Sequence, residues 1–244
     1  IGLGYPSPRR HPVIQERIVA GDVTLEDWTY LTLIQRLRAG AMGVPFTPTN
    51  SLSGSSIGPA SETATIDDPL GDGEAHVVSS FEPDVSIGHG LVADRAGNTI
   101  VSPIRAEGSW GAFASDRAII TVEKIVDASV IREYSDSVTI PSYAVDAVVE
   151  APFGAHPRPS YNPHHIGSVS DYGYDRDFLL SFREASRSAE ALEAWVREWI
   201  LDTDWEGYLQ SLGEDRLRGL TNGTWPQGDL AGTLANARVS DPIE

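Results

Sequence analysis

A run of β-branched residues at 117–123 is the feature that most constrains what this chain can fold into. Its centre carries alanine, two isoleucines, threonine and valine without the polar alternation of a half-exposed strand. Such a run is typical of a strand covered on both faces, as in parallel sheets. Two other runs, 84–92 and 145–151, predict two more strands, and 94–98 predicts a tight turn.

A helical pattern precedes these strands. Apolar residues recur at helical spacing over 28–41. Thr24 and Asp27 form a capping box ahead of that pattern, and Gly40 or Gly43 can end the helix. The sequence therefore predicts one long helix before the first strand.

A second helical region starts at Asp175. Its apolar residues again recur at helical spacing, so we interpret Trp195 and Trp199 as core packing. Between the first helix and the strands, we predict a long loop at 45–59 and an irregular acidic segment at 61–74. Strands among helices favour an open α/β sheet.

Charge and composition narrow the range of functions. The chain has 35 Asp and Glu against 18 Lys and Arg, a formal net charge of -17, which disfavours nucleic acid and anionic lipid as partners. There is no cysteine, which excludes disulfides and thiolate chemistry. No run approaches a membrane span of about 20 residues, and no signal segment opens the chain, so we expect a cytoplasmic protein. Lys124 is the only lysine, which fits either adaptation to high salt or a GC-rich genome.

The segment 54–58 matches the G-x-S-x-G pattern of a nucleophile elbow. That elbow requires a strand before the serine, and no strand-like run precedes Ser56. A flexible Ser/Gly loop is the plainer interpretation. A third is that backbone N–H groups of this loop hold a phosphate or an oxyanion.

The histidines are the other candidates for chemistry. His156, His164 and His165 lie in a proline-rich segment at 155–166, and their spacing fits no defined metal site. We therefore expect surface or partner-facing histidines there, and no metal. His89 stands between two glycines, which let a ligand approach closely, although a buried structural histidine has the same pattern.

Five segments, in the same order, resemble the alpha subunit of family I coenzyme A transferases, the glutaconate and 3-oxoacid type. A sixth, 149–157, is similar to the branch that opens a steroid-derived ring as a CoA thioester by C–C hydrolysis. The five segments are 38–49, 83–89, 93–98, 118–126 and 140–149.

The resemblance implies an α/β fold with an open, mostly parallel sheet flanked by helices, lacking the usual N-terminal strand and helix. The alpha-type domain would span 1–213, with a C-terminal extension or tail at 214–244. It also implies a heteromer with a beta subunit, whose glutamate attacks the acyl-CoA and becomes a glutamyl-CoA thioester. No catalytic residue is then expected on this chain, and coenzyme A is a substrate rather than a resident cofactor.

The same resemblance, with the chemistry of glycine- and serine-rich loops, suggests the substrate-binding residues. One group would form a wall of the acyl pocket, and the other would lie near the same cleft. They are Phe46, Thr47, Asn50, Ser51, Gly54, Ser55 and Ser56, and then Gly88, His89, Gly90, Trp110 and Gly111.

Two alternatives stay open at this point. The ring-opening hydrolases carry an acidic residue near the start of the first helix. Thr29 or Tyr30 stands at that position here, and Glu26 and Asp27 lie one turn earlier. The other alternative is a non-catalytic scaffold subunit.

Overall fold

The β-branched run forms the centre of a four-stranded sheet. The strands are β4 (Val85–Ala93), β5 (Thr99–Ile100), β6 (Arg117–Ile125) and β7 (Ala147–Glu150), in the order β5-β4-β6-β7. β6 pairs in parallel with both β4 and β7, and only β5 runs antiparallel. The prediction of an open, mostly parallel α/β sheet is confirmed.

The computed structural model describes residues 12–24, 26–52, 54, 63–102 and 108–222. The chain divides into two units. The sheet unit comprises 24–155 and 160–171, and the helical unit comprises 1–23, 156–159 and 172–244. In the described part of the chain, every helix is too short or too polar to cross a membrane. The expected boundary between a domain and a tail at 213 stays a prediction.

Two apolar clusters pack against the four-stranded sheet. Ile120 and Val122 are fully buried on the face that packs against α3 (Gly108–Ala114). Leu91 belongs to a second cluster, which includes Ile131 of α4 (Ala128–Glu133). One face of β6 is buried, whereas Ile119 and Thr121 on the other face are half-buried.

A second sheet lies in the segment that the sequence predicted as loop. β1 (Phe46–Pro48), β2 (Thr63–Asp67) and β3 (Glu74–Ser79) pair antiparallel in the order β1-β3-β2. The loop at 45–59 and the irregular segment at 61–74 were therefore wrong in part. The outer strands are largely exposed and polar, so their pairing with buried Val77 and Val78 of β3 decides their structure.

The first long helix, α2 (Tyr30–Ala41), begins later than the capping box predicted. Thr29 is its N-cap, and its side chain accepts a hydrogen bond from the N–H of Thr32 at 3.1 Å. Gly43 adopts φ 66°, and the N–H of Val44 donates to the carbonyl of Ala39, so the predicted glycine end is confirmed.

The helical unit contains α1 (Pro12–Val19), α5 (Arg176–Ala185), α6 (Ala189–Val196), a π-helical turn (Arg197–Leu201), α7 (Trp205–Leu212) and α8 (Glu214–Asn222). Phe178 is the centre of its core. The rings of Trp195 and Trp199 meet Phe178 edge-on, with centroids 5.2 and 5.0 Å away. These tryptophans are packing residues, as the sequence predicted.

Candidate functional site

The first group of predicted binding residues lies on β1 and the segment after it. Phe46 and Thr47 are in β1, whereas Asn50, Ser51 and Gly54 follow it and are exposed. The hydroxyl of Ser51 lies 3.4 Å from that of Thr29, the N-cap of α2. This segment is therefore held beside the N-terminus of α2. Ser55 and Ser56 lie outside the described residues, so neither the elbow nor its alternatives can be placed.

Two hydrogen bonds of a buried side chain also hold this segment in place. The buried hydroxyl of Thr49 donates to Gln35 of α2 at 2.9 Å and accepts from the N–H of Ser51 at 3.1 Å. These bonds leave exposed polar groups of the segment facing solvent at one end of α2. Such groups can bind a polar ligand through backbone and hydroxyl donors.

The second group falls on two faces of the four-stranded sheet. Cβ atoms built on Gly88 and Gly90 would contact Ile120 and Val122, on the face that α3 covers. Gly111 of α3 lies against Ser86 on that same face, since its Cβ would be 2.6 Å from the hydroxyl. Gly88, Gly90 and Gly111 are thus each packed closely against a different neighbouring residue.

Trp110 and His89 are not brought together. Trp110 lies on α3, and the guanidinium of Arg38 is 5.5 Å from its ring centroid. His89 follows Gly88 in β4, so its side chain points to the opposite face of the sheet. A binding role for these residues stays a prediction, and a single cleft does not contain all of them.

His89 is the centre of a polar cluster on that opposite face. Its Nδ1 lies 2.8 Å from the hydroxyl of Thr121, and its Nε2 lies 2.7 Å from Oε1 of Glu123. The Glu123 side chain is 6% exposed, and its Oε2 accepts the N–H of Phe153 at 2.6 Å. The His89 side chain is mostly buried, as expected of a structural histidine, yet it is 17% exposed, as contact with a ligand would require. Both interpretations of His89 therefore stay open.

Sequence reasoning missed Glu123 and Phe153. The spacing of Thr121 and Glu123 in β6 was a usable signal, because residues two apart share a face of a strand. Nothing local pointed to Phe153, whose backbone has φ 63° although it is not glycine.

His156 corrects the expectation of a surface histidine. Its side chain is buried, with Nδ1 2.6 Å from the hydroxyl of Tyr208 and Nε2 3.0 Å from Asp175. Because both ring nitrogens have partners, His156 is not arranged as a metal ligand. His164 and His165 are exposed, as predicted.

The charges around His156 are balanced by an arginine. Arg216 of α8 donates from Nε and Nη2 to the two oxygens of Asp175, at 2.6 and 2.8 Å. Burial by itself raises the pKa of Asp175, but the bonds from Arg216, His156 and the N–H of Phe178 outweigh it and hold that pKa at about 2. Burial lowers the pKa of His156 and raises the pKa of Tyr208 to about 12. A neutral histidine that accepts from a tyrosine and donates to a carboxylate is a structural arrangement.

Comparisons with known proteins agree with this architecture. A family model described as Coenzyme A transferase matches residues 3–151. The A subunit of glutaconate CoA-transferase from Acidaminococcus fermentans is 31% identical over 219 residues, covering 82% of this chain and 66% of the relative. The crystal structure of that transferase superposes with a TM-score of 0.76 at 29% identity, covering 86% of this chain and 70% of the other.

Two further relatives bear on the reaction. The A subunit of 3-oxoadipate CoA-transferase from Pseudomonas knackmussii is 29% identical over 196 residues, covering 79% of this chain and 65% of the relative. A cholesterol ring-cleaving hydrolase subunit from Mycobacterium tuberculosis is 26% identical over 192 residues, covering 74% of this chain and 63% of the relative.

This chain spans between 44% and 66% of the length of the curated relatives that it matches. The match of the family model nevertheless extends over more than half of the chain. It includes all four strands of the four-stranded sheet. With its α/β architecture, this chain belongs to the coenzyme A transferase family.

Proposed function

We propose that this chain is the alpha subunit of a heteromeric CoA-transferase, which moves CoA between an acyl-CoA and a carboxylic acid. The observation that carries the proposal is the family match over 3–151, together with two relatives that are each the A subunit of a CoA-transferase. The partner is a beta subunit, the substrate is an acyl-CoA, and neither nucleic acid nor a membrane takes part. The expected location is the cytoplasm.

The reactive carboxylate belongs to the partner. It attacks the thioester carbonyl and expels the CoA thiolate, which leaves a mixed anhydride. The thiolate then attacks the glutamyl carbonyl, which releases the first acid and leaves a glutamyl-CoA thioester. A second acid reverses these steps and leaves as the new acyl-CoA.

The glutamates of the described sheet fit other roles than that of nucleophile. Both oxygens of Glu123 are engaged, by His89 and by the N–H of Phe153. Glu150 accepts the N–H of Ile125 at 2.7 Å. An oxygen that accepts such a hydrogen bond is less available to attack a carbonyl carbon. This supports a nucleophile on the partner.

This chain's part in the reaction is to shape the pocket. The exposed residues Asn50, Ser51 and Gly54, beside the N-terminus of α2, would form one wall and offer N–H groups to the developing oxyanion. Phe46 and Thr47 would border it from β1. Ser55 and Ser56 belong to the same proposed wall.

The test is a search for the covalent intermediate. The chain is co-expressed with a beta-type subunit, and the complex is incubated with acyl-CoA without an acceptor acid. Mass spectrometry should then find CoA attached to a glutamate of the beta chain. Free CoA in place of acyl-CoA is the control and should give no adduct.

A site variant tests the wall. Asn50→Ala should lower turnover of the complex about tenfold or more with an unchanged melting temperature, because Asn50 is exposed. Asp72→Asn, in the exposed β2–β3 turn, is the matched control and should leave both values unchanged. Wild-type kinetics in Asn50→Ala would remove this segment from the pocket.

A CoA-thioester ring-opening hydrolase is the second candidate, favoured by the 26% identical relative. Thr29, the N-cap, and Tyr30 occupy the position of the acidic residue expected in that branch. Glu26 is bound to the indole N–H of Trp28 at 3.1 Å, four residues before the helix. Product formation without any acceptor acid, and without an adduct, would favour the hydrolase. A chain that binds neither a beta subunit nor CoA would instead be a scaffold.

A further inference from the structure

The segment after β7 holds a non-glycine residue in a left-handed conformation. β7 ends at Glu150, and Phe153 has φ 63° three residues later. Glycine adopts this conformation freely, whereas a residue with a Cβ does so only where its surroundings enforce it. The backbone of a phenylalanine is therefore strained here, whereas that of a glycine would not be.

The His89–Glu123 pair enforces this conformation. Oε2 of Glu123 accepts the N–H of Phe153, and Oε1 lies 2.7 Å from Nε2 of His89. The next residue, Gly154, lies close to the imidazole, because a Cβ there would collide with the ring of His89. Residues of β4 and β6 therefore fix the backbone that follows β7.

This turn lies at the edge of the sheet where ligands bind. β4, β6 and β7 are parallel, and Phe153 comes directly after the carboxyl end of β7. In open α/β sheets, ligands bind outside the carboxyl ends of the strands. The side chain of Phe153 is only partly buried, so some of its ring is accessible there.

We propose that Phe153 is a specificity-determining residue whose ring contacts the acyl part of the CoA thioester, and that His89 and Glu123 are its positioning residues. This inference rests on the proposed function. An aromatic ring presents an apolar surface to the methylene groups of an acyl chain, next to the reacting thioester. The left-handed turn is retained because it carries that ring, and glycine would remove it.

Two substitutions separate the ring from the backbone. Phe153→Gly removes the half-buried ring and relieves the backbone strain, and these two changes have opposite effects on the melting temperature. Its KM for acyl-CoA should rise about tenfold or more, as expected when an apolar pocket loses one wall. Its preference between short and long acyl groups should become weaker. Ser168→Gly is the matched control, because Ser168 has φ 58° in another segment. It should relieve the same kind of backbone strain and leave the kinetics unchanged.

The positioning role of Glu123 is tested separately, by the KM and kcat of a variant in two backgrounds. Glu123→Gln should raise KM in the wild-type background with a smaller change in kcat. In the Phe153→Gly background it should add little, because the ring that it positions is absent. Equal effects in both backgrounds would show that Glu123 does not act through Phe153.

The outcomes distinguish this inference from the proposed function. If the wild-type complex transfers CoA and Phe153→Gly has wild-type KM and acyl preference, the inference is overturned and the function stands. If the wild-type complex does not transfer CoA, calorimetric binding of acyl-CoA replaces the kinetics. A dissociation constant that Phe153→Gly weakens about tenfold then supports the contact. An unchanged constant, or no binding by the wild type, overturns it.

Discussion

At the scale of single residues, one carboxylate organises the polar interior of the helical unit. Asp175 accepts hydrogen bonds from His156, Arg216 and the N–H of Phe178, and it is 4% exposed. The network is complete, since Tyr208 closes it on the far side of His156. A fully bonded buried network stabilises a unique packing but depends on its protonation state.

This network predicts a loss of stability in acid. The pKa of Asp175 is about 2 when folded against an ordinary 3.8, so its contribution is present above about pH 4 and is lost between pH 4 and 2. The lowered pKa of His156 means that the unfolded chain binds its proton more tightly, so stability also falls as the pH drops below 6.5. Urea unfolding at pH 7, 5 and 2 measures both, and the Asp175 part amounts to about 2 kcal/mol.

Two variants show which residue causes each part of the pH dependence of stability. His156→Gln should flatten the change between pH 7 and 5, whereas His164→Gln, at an exposed site, should not. Asp175→Asn should remove the part below pH 4. A wild-type slope in His156→Gln would show that another group controls the first part.

At the scale of elements, α2 shows how packing opposes local preference. Gly40 lies inside this helix, where alanine is intrinsically favoured by about 1 kcal/mol. A Cβ at this position would be 2.6 Å from the carbonyl oxygen of Phe81 and 2.8 Å from Cγ of Glu82. The helix therefore approaches the chain after β3 more closely than any other residue permits.

Gly40→Ala is accordingly expected to destabilise the protein by about 1 kcal/mol, because overpacking typically costs about 1–3 kcal/mol and outweighs propensity. Gly219→Ala in α8 is the matched control, since no described atom lies within 4 Å of its Cβ position. It should stabilise by about 0.5–1 kcal/mol. The measurement is the urea midpoint of each variant, and stabilisation by both would contradict the close approach.

At the scale of the whole molecule, net charge acts against the folded state. A charge of -17 on 244 residues makes the folded surface repel itself. Several of the described ion pairs are exposed and join residues close in sequence, such as Arg197 with Glu193 and Arg187 with Glu184, and such pairs contribute little. Screening should therefore remove more repulsion than attraction.

Sodium chloride should consequently raise the melting temperature. An increase from 0.1 M to 1 M shortens the screening length from about 10 Å to about 3 Å. The expected rise is about 2–4 °C, equivalent to about 1 kcal/mol for a chain of this size. Equimolar chloride of another monovalent cation should act alike if screening is the cause. A lower melting temperature in salt would show that attractive pairs dominate.

The elements that could be predicted are those in which consecutive residues are apolar enough to indicate burial. The run at 117–123 is apolar without alternation, and it became the central strand. β1 and β2 were missed because Thr63 to Asp67 has no apolar pattern of its own and depends on β3 for its hydrogen bonds. The same holds for the cap of α2, where Thr24 and Thr29 offer the same hydroxyl and only tertiary packing selects Thr29.

Some residues of the candidate site could likewise be predicted from the sequence, and others could not. The glycines at 88 and 90 were recognised as close approaches, and the structure shows that their neighbours are Ile120 and Val122. His156 was wrongly placed at the surface because its partners, Asp175 and Tyr208, are distant in the chain. Glu123 and Phe153 were missed for that reason too.

By itself, the sequence determined the family, the parallel sheet and its central strand, because these depend on local order and on runs of residues that avoid water. Only the tertiary structure decided which polar groups meet. His156 and Glu123 each take their surroundings from residues at least 19 positions away. Hydrogen bonds between such residues form only after the elements have packed, since a buried polar group is stable only when its partner is already in place.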